Sequence, residues 1–268
     1  MRLDPEVRQF VERLPSGLLV LRFENISEEL RSFSDIVRHM LTQPSLTLLA
    51  ELERELSALA SGVAGQMRTW GTRGKELETL PSDGRHQMDR EGHGHNLKGL
   101  ISFTWDVEPI GGARTRLPLK RYFVLRNSSV RIRLFDERQR QVVSAWNVDV
   151  GDDRSPGCHF HAQIGEMMQG RGDQGGQRSL NLDIPRLPAC LFMPTDAVEF
   201  VVCELWQREW PQLAASGTAE MNRWRKFPKA RLSRLLKWQL GVVDRTTATP
   251  WVGFKKAKPD PLLLCDER

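Results

Sequence analysis

Residues Trp146 to Gly165 read WNVDVGDDRSPGCHFHAQIG. A strand-like run enters a polar turn marked by Gly and Pro and leaves as Cys158-His159-Phe160-His161-Ala162-Gln163-Ile164. Side chains of an extended chain alternate between two faces, each step of two residues spanning roughly 6.6 Å. His159, His161 and Gln163 therefore share one face, and Phe160, Ala162 and Ile164 the other. A polar row backed by an apolar row belongs to a sheet with one side on a core.

Working outward, the same texture precedes this stretch. Leu100 to Val107 alternates and ends at a Pro109 to Gly112 turn, and Lys120 to Arg126 is a second strand. Val130 to Asp136 is a third, with Val130, Ile132 and Leu134 inward and Arg131 and Arg133 outward. Val142 to Val150 is a fourth and Cys158 to Ile164 a fifth. Short turns between them argue for an antiparallel meander of about five strands. Ile184 to Pro188 is an extended connector, held out of helix by its prolines.

Helical periodicity flanks the strands. Pro5 to Leu14 is a short helix, and Leu18 to Phe23 a buried strand. Ser27 opens a helix running to about Thr42, and Pro44 begins another with Leu48, Leu49, Leu52, Leu56 and Leu59 in one stripe. Thr195-Asp196 caps a helix ending near Pro211, and a last helix runs from about Lys229 to Leu240. Residues 245–268 read as an extended tail. The expected class is α+β, with an N-terminal helical pair and C-terminal helices covering the sheet. Three portions are expected: a mostly helical 1–70, a Gly-rich and charged loop or linker over 71–96, and a sheet-plus-helix domain over 97–268.

The chain has 268 residues, 40% of them hydrophobic and 27% charged, as in globular proteins. No run of about 18 apolar residues suggests a membrane span, and the first residues lack a hydrophobic signal region. Four scattered cysteines fit free thiols, so a cytoplasmic setting without membrane contact is expected. The net charge of +5 is uneven. Residues 221–258 hold eleven Lys/Arg against the single acid Asp244, which points to an anionic partner, nucleic acid or nucleotide first and an acidic protein second. Around Trp224, the cations Arg225, Lys226, Lys229, Arg231 and Arg234 could meet phosphates while the indole stacks on a base; anchoring of Trp224 in the core is the alternative. The Leu- and Trp-rich C-terminal helices also offer a protein interface.

Two histidines and a glutamine on one strand face allow three chemistries. They can serve as acid and base in phosphodiester cleavage, since imidazole titrates near neutrality. One ring can attack phosphorus while its neighbours hold the phosphate. Or His159 and His161 can bind a divalent metal with Asp149 or Asp136 as third ligand. Structural histidines are the bland alternative. Arg121, Arg131 and Arg133 are candidate phosphate clamps, against plain solvation. The pair His93 and His95, with His86 nearby, lies in the Gly-rich loop, where geometry is unfixed. No phosphate-binding Gly-rich loop, hydrolase serine elbow, zinc-finger spacing or dinucleotide fingerprint is present, and no other cofactor is implied.

HFHAQIG resembles the signature of the histidine-triad proteins, nearest to the branch with Gln in the third polar position, the nucleotidyl transferases and dinucleotide phosphorylases. The resemblance implies that His161 is the nucleophile that becomes nucleotidylated and that Gln163 helps hold the phosphate. It covers about seven residues and the preceding turn. By order of elements, residues 97–210 also look like bacterial toxins of the TumE type: an Arg- and Asp-bearing strand, then a His-x-His strand, then a helix. That likeness implies RNA cleavage or nucleotide transfer in a toxin or defence setting. A non-catalytic nucleic-acid-binding or assembly subunit of a bacterial complex is the alternative, and a His-x-His metalloenzyme a further one.

Overall fold

The computed structural model describes residues 5–82, 96–111, 121–138, 140–151, 159–164, 186–188 and 193–265. Its centre is a long antiparallel pair. Strand β4 (Leu97–Pro109) lies beside β5 (Tyr122–Asp136), with Ile101 opposite Ile132 and Phe103 opposite Val130. The alternation in the sequence becomes alternation in burial. Ile101, Phe103, Trp105, Val130 and Ile132 are buried, while Thr104 and Arg131 are exposed.

Further strands extend this pair. β1 (Leu19–Arg22) pairs with the start of β5, and β6 (Gln141–Val150) with the rest of the same edge. β7 (Phe160–Ile164) and β8 (Arg186–Pro188) follow outward from β6. On the far side, β2 (Arg68–Gly71) and β3 (Leu77–Glu78) both pair with β4. The described residues thus give one α+β fold around an antiparallel sheet, with eight strands where about five were expected. Residues 186–188 form a strand rather than a connector.

The linker expectation over 71–96 needs correcting. Its first part, through Ser82, is built into the sheet by β2 and β3. The anchor is Trp70, fully buried, whose indole N–H donates to the Leu52 carbonyl at 3.1 Å. His86, His93 and His95 lie outside the described residues.

Helices close one face, except the first, which packs on the other. α1 (Pro5–Val11) packs Val7 and Val11 against Val20 and Val124 in a small separate cluster. α2 (Phe23–Ile36) and α3 (Gln43–Ala60) form the expected pair, with α2 starting four residues before Ser27. α4 (Pro194–Leu205) crosses the sheet where Gly99 lacks a side chain; a Cβ there would sit 2.1 Å from Val201 Cγ1. Then come α5 (Trp210–Ala214), α6 (Ala219–Trp224), α7 (Lys226–Arg245) and α8 (Pro250–Lys256). The last replaces part of the expected extended tail. One buried apolar cluster runs from Leu19 to Leu264, so the N-terminal helices, the sheet and the C-terminal helices share a core. Among the described residues no helix is long and apolar enough to cross a membrane.

Candidate functional site

Strand register brings the expected row into company. His161 lies opposite Asp149, which lies opposite Ser129. Gln163 lies opposite Asn147, which lies opposite Arg131. Strands are about 4.8 Å apart, so two parallel polar rows run roughly 10 Å across β5, β6 and β7 on one face. Along the strands these residues alternate with Val130, Val148 and Phe160, which belong to the core, and with Ala162, which packs against it.

The opposite face is the dry one. The Phe160 ring meets Trp238 of α7 at 5.4 Å and the Trp146 ring meets Phe200 of α4 at 5.8 Å, both edge to face. Helices α4 and α7 therefore cover the side of the sheet away from His161.

Within the polar rows, His161 Nε2 lies 3.7 Å from Asp149 Oδ2, with the imidazole 4% exposed and the carboxylate 21%. That is longer than a hydrogen bond. Asn147 Oδ1 is buried and has no hydrogen-bond partner among the described residues. Gln163 is half-buried and Arg131 exposed. His159 is buried just before β7; its carbonyl accepts the Gly151 N–H at 2.7 Å and its ring lies edge-on to Phe160 at 5.0 Å.

Other candidates fall elsewhere. Arg133 shares the face but is ion-paired with Glu76 before β3, so its charge is already answered. Arg121 precedes β5, eight residues from Ser129 and about 25 Å away along the strand. It sits 3.4 Å from Glu24 and lines a cleft of about 520 Å³ with Arg31 and Arg223. It is no part of the His161 face. Among the described residues no group of three or more His, Cys, Asp or Glu side chains, His159, His161 and Asp149 included, is arranged to hold a metal ion.

The basic C-terminal stretch lies on helices rather than beside the polar rows, and half of it is structural. Trp224 is buried, stacked at 4.9 Å on Phe33 and edge-on at 6.1 Å to Trp210, so it is a core residue and not a base-stacking platform. Arg225 donates to the carbonyls of Ala214 and Ser216, both at 2.7 Å, closing the end of α5. Arg234 donates to the Cys265 carbonyl at 3.2 Å. Lys226 and Lys229 are exposed.

Arg231 departs furthest from expectation. Its guanidinium bonds both oxygens of Glu29 on α2, at 3.0 and 2.8 Å, and both of Asp196 on α4, one of them at 3.1 Å. Glu29 also accepts from the Thr195 hydroxyl, and Asp196 from the Met193 N–H at 3.3 Å. Burial works against the charge on Arg231, but the two carboxylates outweigh it and raise its pKa. Burial pushes Asp196 up, opposed by Arg231. It also lifts Glu199, beside Asp196 and Glu29, to about 7. The charge run hid this cluster, because its carboxylates come from distant segments.

No family model, no curated protein and no solved structure matches the chain.

Proposed function

We propose that the polar sheet face acts on a phosphate ester of RNA or nucleotide type, as a ribonuclease-like or nucleotidyl-transfer enzyme. The observation that supports this reading is the cross-strand pairing of His161 with Asp149, with Gln163 and Arg131 in the adjoining row. In the RNA-cleaving form, a 2′-hydroxyl oxygen attacks phosphorus and its proton passes to His161, which Asp149 orients and stabilises once charged. The P–O5′ bond breaks and the leaving oxygen takes a proton from His159. Gln163 and Arg131 hold the non-bridging oxygens, where negative charge builds up. A cytoplasmic toxin or defence role belongs to the same reading.

A second reading, nucleic-acid retention without turnover, is favoured by the burial of His161, 3% exposed. Single-stranded RNA and labelled nucleotides incubated with the protein separate the two. The enzymatic reading expects cleavage or label transfer that falls roughly 100-fold or more in His161→Ala, since a positioned acid or base contributes about that much. Equal turnover in wild type and His161→Ala overturns the assignment. Salt-sensitive retention with no product replaces it with the second reading.

A further inference from the structure

Six of the nine large apolar side chains exposed among the described residues fall on the last two helices. On α7 they are Leu232, Leu236, Leu240 and Val243, exposed by 38–61%, and on α8 Trp251 and Val252. The α7 residues follow steps of four, four and three, so at 100° per residue they form one ridge roughly 80° wide. The other side of α7 is occupied. Leu235 and Val242 are buried, and Trp238 packs on Phe160. The ridge therefore faces away from the core.

Cations dominate its surroundings. At 100° per residue exposed Lys229 continues the ridge, exposed Lys226 and Lys237 lie along one border together with exposed Asp244, and Lys255 and Lys256 end α8. Asp244 is the one acid between residues 221 and 258. We propose that this ridge is a docking surface for an amphipathic α-helix of a partner protein whose apolar seam is bordered by Asp and Glu. A step-of-four ridge fits the groove of another helix. The cations select a carboxylate-rimmed seam and disfavour a basic one. A second copy of this chain is a poor occupant, because a two-fold contact would set the same lysines against each other. The ridge is also narrower than the apolar face, roughly 100° or more, of a helix lying in a bilayer interface.

The probe is a synthetic helical peptide with Leu along one stripe and Glu beside it, followed by fluorescence anisotropy with the full chain. Saturable binding is expected, weakened about 30-fold by Leu236→Gln with Leu240→Gln and about 10-fold by Lys229→Glu with Lys237→Glu. Both pairs are exposed, so an unchanged melting curve shows that folding is intact. The proposal is overturned by binding that ignores the leucine changes, or by equal binding of the same peptide with Lys for Glu. Leu-dependent self-association in sedimentation velocity, or Leu-dependent adsorption to anionic phospholipid vesicles without peptide binding, also overturns it.

Discussion

Replacing Arg231 by Met isolates the cost of a buried charge cluster. The Arg231 side chain is 10% exposed, Glu29 1% and Asp196 7%, so two carboxylates would be left facing each other in a dry junction of α2, α4 and α7. Removing one partner of such a group costs about 3–5 kcal/mol, a large share of the roughly 5–15 kcal/mol that holds a domain folded. At roughly 2–4 °C per kcal/mol for a chain of this size, the melting midpoint should drop by about 10 °C. Replacing all three charges together, Glu29→Gln, Asp196→Asn and Arg231→Met, should recover at least half of that loss. The amide oxygens still accept from the Thr195 hydroxyl and the Met193 N–H, and no lone charge remains. Urea unfolding of wild type, single and triple variants at pH 7 measures both steps. A single variant that loses less than about 1 kcal/mol, or a triple no more stable than the single, would refute the reasoning.

Three further outcomes are expected. Glu199 has its folded pKa lifted from 4.5 to about 7, so stability is fully present below about pH 4.5 and falls as pH rises towards 7; Glu199→Gln should flatten that slope in urea titrations at pH 5, 6, 7 and 8. Gly99→Ala should cost about 1–3 kcal/mol, because its methyl would press on Val201, and Gly99→Ala with Val201→Ala should return part of it in the same assay. Trp224→Leu should lower the melting midpoint yet leave RNA retention by the folded protein unchanged; weaker retention at a temperature where the variant is folded would restore the indole as a base platform.

The strands were legible where alternation ran over five or more residues, but the runs read as a second and a third strand, 120–126 and 130–136, are one continuous strand, β5. Leu100 to Val107 and Val130 to Leu134 each repeat an apolar inward position, and burial follows that repeat except at half-buried Leu134. β2 and β3 escaped because they have only four and two residues, and Gly71 and Gly74 beside charges imitate a loop. Trp70 was the available signal, since an indole in a polar stretch usually has a buried seat. α8 escaped although Thr249-Pro250 is a helix start, with Pro at the first position and an extended residue before it. In the candidate site, alternation placed His161 and Gln163 on one face, but which residues stand opposite them is a matter of register. Asn147 and Ser129 were therefore missed, and no local pattern reveals that Arg231 answers Glu29 across 202 positions.

Strand β1 has hydrogen-bonding neighbours on both sides. It pairs with β5 from Leu19↔Leu125 to Arg22↔Tyr122, and its other edge receives residues 259–261, with the Val20 N–H donating to the Pro261 carbonyl at 2.8 Å. Synthesis runs at about 5–20 residues per second, so the second neighbour of β1 is made roughly 10–50 seconds after β1 itself. During that interval an apolar strand, Leu19-Val20-Leu21, has an open edge able to pair with other chains. Protection of that edge of β1 thus depends on a segment made long after the strand itself.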